Sequence, residues 1–511
     1  MNNINYIKQI GSYTLIIAVI LEMMLFPSLE NLCGCVVSLY GWFLFTQIVF
    51  NQYNFKKYFL PTVAIAGYIL MYFFLPIIMT LVELKPITYN FEVPYTTFLN
   101  LFININVIIT AFLLCKRVYQ ENNGLSRLWG KIGFFRPPTD NQIWTMSYIS
   151  LLFFLSAQLT LHYIDGADYS FEDMQKNAEG GGITSFFTAF STYFALPICL
   201  MFRKWYGSKE NKNNAIQITF FLTILLAIAL ISTRRAVLFK PIFSATIIYT
   251  LSLVLENRKI LTTARFILFS ILFLLITGPI ADLAMAMALR RGSVKSMSDV
   301  VGLLDNRDEL HAQFNMMRDI TNSSDNSYSW DENYVNNVML DRFCNLRVQD
   351  ATIFYAKSLG YNNPKMHEYI KDRILYKIPT PIVHALGETK TNRTTPVDVM
   401  LDEYFHIKGI TRIGNMVSGD TGAGLYWLGY WYYPVALIVY FLVFYFMSTL
   451  VFTRFGGFII PIPILCTMQS YFMYFGNAYG IISSIEMLIR DGWMEILVYC
   501  LFFFVIRSFI K

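Results

Sequence analysis

Charge is what this sequence lacks most. Only 14% of its 511 residues are Asp, Glu, Lys or Arg, where a soluble domain carries about 25%. Hydrophobic residues make up 55%, and mean hydropathy is +0.45. That balance excludes an ordinary globular enzyme and defines a polytopic membrane protein. The net charge of +6 is spread over short loops rather than one patch, so no nucleic-acid partner is expected. Cysteine is scarce as well. Cys33, Cys35, Cys115, Cys199, Cys466 and Cys500 fall in apolar segments, and only Cys344 lies in polar sequence. There is no CxxC and no Cys/His ligand spacing, so neither a metal site nor a disulfide within the polar region is expected. Nucleotide-binding loops are missing too: no GxxxxGK[ST] and no GxGxxG after a strand. No cofactor is expected. No A-x-A cleavage site follows the first apolar run, which Glu22 interrupts, so that run reads as a retained helix. Internal repeats and low-complexity tracts are absent.

What is present is a series of apolar runs. A helix needs about 20 residues to cross the hydrocarbon of a bilayer. On that criterion the chain holds about twelve spans, near 12–29, 32–50, 58–82, 97–115, 143–162, 183–201, 215–232, 236–255, 266–287, 425–451, 457–480 and 493–510. The fold class expected is an all-α polytopic membrane protein, with 1–289 as transmembrane helices 1–9 and 425–511 as helices 10–12. Loop charge sets the orientation. Lys8, then Lys56 and Lys57, then Lys116, Arg117, Arg127, Lys131 and Arg136 alternate with neutral or acidic loops. So do Arg203, Lys204, Lys209 and Lys212, then Arg258, Lys259 and Arg265, then Arg454, then Arg507 and Lys511. Both termini are expected in the cytoplasm.

One long polar region, 290–424, interrupts the apolar pattern and falls on the outside. It holds four of the five His. Residues 321–333 read as its loosest part. Val335, Val338, Met339, Phe343, Leu346, Ile353 and Phe354 recur near helical spacing. Met366 to Lys377 reads as a second amphipathic helix, stopped by Pro379 and Pro381. Thr395 and Pro396 fit the N-cap and first turn of a third, which would put Asp398, Asp402, Glu403 and His406 largely on one face. Such helices are expected on the membrane surface. Two adjacent arginines, Arg234 and Arg235, break the charge alternation on the same outer side, and Lys240 follows just over one turn later. Cations gathered at that depth either snorkel to lipid head groups or bind an anionic, phosphate-bearing substrate.

Ser232-Thr233-Arg234-Arg235-Ala236 resembles the Ser-Arg-Gly type turn after a mid-chain helix in the bacterial O-antigen and capsule polymerases, the Wzy family. Arg342-Phe343 is similar to that family's recurrent Arg-Phe. Ile378-Pro379 and the later Gly424-Leu425-Tyr426-Trp427-Leu428-Gly429-Tyr430 resemble its re-entry into the membrane. The plan of about twelve spans with one dominant outer loop before the last helices is similar as well, and is GT-C-like. Arg235-Ala236 stands where the family has Arg-Gly. Arg291 and Gly302 match an Arg-x10-Gly spacing, which a chain this rich in Arg and Gly also supplies by chance.

The resemblance implies an enzyme that joins oligosaccharide repeat units carried on undecaprenyl pyrophosphate. A sugar hydroxyl of one unit attacks the anomeric carbon of another, and lipid pyrophosphate leaves. Arginine suits that leaving group, because guanidinium stays charged and grips phosphate bidentately. The substrate-binding candidates are Arg234, Arg235, Arg291, Arg342, Arg393 and Arg412. The candidate bases are His384, Asp402, Glu403 and His406. Implied partners are the lipid-linked donor and acceptor, membrane lipids and a chain-length regulator protein. His311 and His367 fit solvated helix faces, and Arg307, Arg318 and Arg347 fit surface pairs with acidic neighbours. The Tyr426 to Tyr433 aromatics fit an interfacial belt or a sugar-stacking surface. Glu22, Asp282 and Glu486 are the acids within apolar sequence, a placement that marks function by default. Two alternatives share part of this evidence. An O-antigen ligase uses the same donor with another acceptor. A lipid-linked oligosaccharide flippase is disfavoured by the absence of paired halves with matched broken helices.

Overall fold

The computed structural model describes residues 3–121, 123–160, 189–231, 236–256, 258–259, 262–292, 302–322, 334–335, 337–341, 343–378, 380–387, 399–400, 402–404, 407, 419–454, 457–473, 475 and 480–510. Within these, helices dominate and one short antiparallel hairpin is the exception. Seven helical stretches are long and apolar enough to cross a membrane. The first four are α1 (Asn3–Leu25), α2 (Leu29–Val49), α3 (Phe59–Val82) and α4 (Pro94–Val118). Their limits follow local chemistry. The Ser28 hydroxyl caps α2 by accepting the Asn31 N–H, and Pro94 stands in the first turn of α4, where its missing N–H costs nothing. Single π turns, Phe45–Val49 and Leu70–Phe74, sit inside α2 and α3.

The next helices are α5 (Asp140–Thr160), α6 (Ala215–Ile231) and α7 (Ala236–Leu255). Between α5 and α6, residues Thr192–Phe202 form a 3-10 segment of 11 residues around Pro197. The apolar run expected as one helix over 266–287 is two, α8 (Thr263–Thr277) and α9 (Pro279–Gly292). Gly278 sits between them, and the proline after it disfavours helical geometry there. The polar region contributes α10 (Arg307–Asn322), α11 (Leu346–Leu359) and α12 (Pro364–Lys377).

The run expected from 425 starts earlier and bends. Helix α13 (Asp420–Leu428) ends at Gly429, whose φ of 57 permits a sharp turn into α14 (Tyr432–Thr449). In a straight helix, residues twenty apart lie about 30 Å from each other. Here the Tyr440 hydroxyl donates to the Asp420 carboxylate, so α13 doubles back beside α14. Strands β1 (Phe452–Arg454) and β2 (Gly457–Ile459) pair antiparallel. The 12-residue α15 (Ile462–Met473) and the long α16 (Gly480–Phe509) close the chain.

The helix ends sort into two groups. At one end, Asn3 donates to the Leu253 and Arg258 carbonyls, Lys204 pairs with Glu256, Arg203 with Asp140, and Gln142 donates to the Ile510 carbonyl. This is the lysine- and arginine-rich end. At the other, Ile87 in the α3–α4 loop donates its N–H to Glu22 near the C-terminus of α1. The Tyr334 hydroxyl donates to the Ile87 carbonyl, so the polar region packs at the end remote from the lysines.

The polar region does not simply lie on a surface. Helix α11 is enclosed: Leu346, Gln349, Asp350 and Ile353 are fully buried. It packs along α13, with Gly419 donating to the Thr352 hydroxyl at 2.9 Å. The helical spacing expected over 334–357 is met only in part, by a short turn of helix at Val338–Asp341 and by α11, and α11 is buried against both α13 and α4. Helices α10 and α12 are the more exposed ones.

Candidate functional site

Two buried carboxylates fasten the polar region to the membrane helices. Asp350 accepts the Glu92 and Val93 N–H groups at 2.6 and 3.1 Å and the Thr97 hydroxyl at 2.8 Å. These are unpaired donors at the start of α4, where a negative charge is favoured. Arg347 completes the set at 3.2 Å from the carboxylate. Burial pushes the Asp350 carboxyl above its ordinary value, against the Glu92, Thr97, Arg347 and Val93 groups that favour its charge. Arg347 therefore corrects the surface reading: it is 2% exposed and belongs to the interior. The second carboxylate, Asp420, accepts from Tyr432 at 3.0 Å, from Tyr440, and from the Ile481 N–H at 2.9 Å at the start of α16. Gly480 leaves the room: at φ +47, a Cβ there would overlap the Asp420 carboxylate. Beside it, Asn104 in the middle of α4 donates to Thr421 at 3.3 Å and to Tyr68 at 3.2 Å. Asp420, Tyr432, Tyr440, Asn104, Thr421 and Tyr68 thus pair with one another, which offsets the cost of holding them out of water.

The three acids of the apolar sequence are held in the same way. Glu22 is fully buried, with the Ile87 N–H on one oxygen at 2.7 Å. Glu486 receives the Arg373 guanidinium from α12, with Lys377 at 3.4 Å. Burial works against the Arg373 charge, but the Glu486 hydrogen bond outweighs it and holds the guanidinium above its ordinary value. Lys377 also bonds Asp491 at 2.6 Å. These contacts pin α12 to the upper part of α16. Asp282, in the first turn of α9, accepts from Arg307 Nε at 2.6 Å and faces His311 Nε2 at 3.2 Å.

Of the expected bases, Glu403 is described in most detail. It accepts the Tyr426 hydroxyl and pairs with Lys365 at 3.2 Å. Its neighbour Tyr404 is buried edge-on against Tyr355, ring centroids 4.9 Å apart. Asp402 and His384 are exposed. His406 lies outside the described residues, as do Thr395, Pro396 and Asp398. So do Arg234, Arg235, Arg342, Arg393 and Arg412. Arg291 lies on α9, and its side chain is not among those described. Lys240 is exposed on the first turn-and-a-half of α7. One contact bears on the arginine-carrying segments. Phe343, the chain neighbour of Arg342, stacks on Phe243 of α7 with centroids 5.6 Å apart. Phe243 follows Arg235 by eight residues.

The sequence reading passed over Asp350, Asp420 and the Asp282–His311 pair. For Asp350 only Arg347, three residues before it, is a local signal; its other donors, and those of Asp420, come from segments more than 60 residues away or from buried tyrosines. His311 and Arg307 stand four apart and so share a helix face, a spacing that was visible without its carboxylate. Among the described residues no group of three His, Cys, Asp or Glu is placed to hold a metal ion. The exposed Tyr430 and Trp431, with Tyr361 edge-on to Tyr430 at 5.5 Å, form an aromatic surface at the α13–α14 turn.

These features define an α-helical membrane protein with a polar insert folded into its helical body. No family model, curated protein or solved structure matches the chain.

Proposed function

We propose that the chain is a polysaccharide polymerase of the Wzy type. It joins oligosaccharide repeat units carried on undecaprenyl pyrophosphate at the outer face of a bacterial inner membrane, and lipid pyrophosphate is the leaving group. In this reading the chain makes about twelve passes. The segments around 143–162, 183–201, 215–232, 266–287 and 457–480 complete the seven long ones, and the lysine-rich end is cytoplasmic. The observation that carries the reading is the stacking of Phe343 on Phe243. It supports a meeting between the segment carrying Arg342 and the helix that follows Arg234 and Arg235, so cations far apart in sequence would serve one anionic group. Fixed guanidinium donors stabilise charge that develops on a leaving pyrophosphate, an effect of several kcal/mol. Arg291, Arg393 and Arg412 are the further substrate-binding candidates. Asp402, Glu403, His384 and His406 are the bases offered by sequence position. Glu403 is already engaged by Tyr426 and Lys365. The aromatic surface of Tyr361, Tyr430 and Trp431 suits the face of a sugar ring. The donor needs no nucleotide or metal cofactor, and a chain-length regulator is the protein partner proposed.

The test is genetic. Deletion of the gene in a host with a known surface polysaccharide is expected to leave lipid core capped by a single repeat. Uncapped core points instead to a ligase or a flippase and overturns the polymerase reading. Arg234→Ala and Arg235→Ala are expected to reproduce the single-repeat band. Full ladders in both variants remove these two residues from the site.

A further inference from the structure

We propose that His311, held by Asp282, is the base that takes the proton from the attacking sugar hydroxyl. The proposal rests on the polymerase reading above. The geometry is that of an oriented imidazole. Asp282 is 6% exposed and divides its two oxygens. Oδ2 accepts from Arg307 Nε at 2.6 Å, and Oδ1 faces His311 Nε2 at 3.2 Å. Arg307 and His311 are one turn apart on α10, so both reach the same carboxylate on α9. Met285, Ala286 and Leu289 of α9 pack with Leu303 and Leu310 to fix the two helices against each other. The carboxylate is therefore a buried, stationary anchor.

The histidine side chain is 48% exposed, so the ring is held at one edge and open at the other. With the Nε2 proton donated to Asp282, Nδ1 carries the lone pair and accepts a proton from outside. Among the described residues, His311 is the histidine paired with a carboxylate. Its position also suits the reading. Asn337 donates to the Thr277 carbonyl at 2.9 Å, just before the α8–α9 break. That bond ties the foot of the α9–α10 pair to the segment whose Phe343 stacks on α7. The base is thus tied, through Asn337 and Phe343, to the helix that follows Arg234 and Arg235 in sequence.

The step balances without a further reagent. The acceptor hydroxyl oxygen forms the new bond to the anomeric carbon of the donor. The bond from that carbon to the pyrophosphate oxygen breaks, and its electron pair leaves with the lipid pyrophosphate. The hydroxyl proton passes to His311 Nδ1, and the imidazolium, stabilised by Asp282, releases it to water. Asp282 is a positioning residue, and Arg307 holds the carboxylate from its other oxygen.

The test uses the full-length protein in proteoliposomes with a synthetic repeat unit on lipid pyrophosphate. General-base catalysis contributes about 10²–10⁴-fold, so His311→Ala is expected to lower kcat at least a hundredfold with KM little changed. His311→Gln, which keeps a donor for Asp282 and has no basic nitrogen, is expected to fall equally while matching wild type in thermal stability. Asp282→Asn is expected to lower kcat less than His311→Ala does, again at similar KM. Arg307→Gln leaves the base in place and is expected to keep kcat within tenfold. Wild-type kcat in His311→Gln, beside an active wild-type protein, overturns the dyad and leaves the polymerase reading standing. An equal loss in all four variants, with lowered thermal stability, overturns it as a purely structural ion pair. A wild-type protein that forms no polymer defeats the polymerase reading itself.

Discussion

Asp350 is the residue on which the docking of the polar region turns. It satisfies two backbone donors at the start of α4 and holds Arg347 in the interior. Removing one member of a buried charged pair costs about 3–5 kcal/mol. Asp350→Ala is therefore expected to lower the melting temperature of the detergent-solubilised protein by several degrees. Unchanged melting would mean that the Asp350 contacts are dispensable. The pH dependence follows from the direction of the shift. A carboxyl whose folded value is raised contributes its stability fully below the ordinary value, about 3.9. It loses that contribution as pH rises through the raised value. Stability is thus expected to decline from pH 4 upward more steeply in wild type than in Asp350→Asn, as measured by melting curves across pH. At Gly480 the constraint is steric. A Cβ there meets the Asp420 carboxylate, so Gly480→Ala is expected to reduce the yield of monodisperse protein on size exclusion. A yield equal to wild type would show that Asp420 can move aside.

At the scale of elements, the pin between α12 and α16 makes a separate prediction. Glu486→Gln leaves Arg373 and Lys377 facing a neutral side chain, and α12 is expected to become more sensitive to limited proteolysis. Exchanging the charges, Arg373→Glu with Glu486→Arg, is expected to restore part of the protection. No recovery would mean that the surroundings, rather than the pair, hold the helix. The elements also show how far the sequence could be read. The apolar runs located α2 to α7 within a few residues, because a lipid-facing helix must be apolar along its whole length, whereas α1 and α16 begin well before the runs expected at 12 and 493. The same hydropathy could not see the α8–α9 break, where Gly278 and Pro279 stop a helix without changing its greasiness. Nor could it see that Asp420–Leu428 folds back at Gly429, since the run stays apolar through the turn. The enclosure of α11 escaped for a different reason. Its spacing matched a surface helix, but its partners, α13 and the start of α4, come from distant sequence. The candidate residues were legible only as types. Charge pattern and the family resemblance pointed to arginines and late-loop acids, and His311 needed its carboxylate, 29 residues earlier, to stand out.

For the whole molecule, the two ends differ in composition. The lysine-rich end is tied by ion pairs such as Arg203–Asp140 and Lys204–Glu256, and the far end holds the polar region. If the lysine-rich end is cytoplasmic, a single cysteine placed at Lys57 in a cysteine-free background is expected to be labelled only after the cells are opened. One placed at exposed Leu84 is expected to react with an impermeant reagent in intact spheroplasts. The reverse pattern would invert the protein and remove the outer-face site. The central claim is that this protein makes a glycosidic bond at the expense of a lipid pyrophosphate. The most direct measurement supplies purified protein in proteoliposomes with radiolabelled repeat units on lipid pyrophosphate and no nucleotide. The account predicts oligomers of the repeat, with one lipid pyrophosphate released for each bond formed. Repeat units that stay monomeric, or that only cross the bilayer intact, would contradict it.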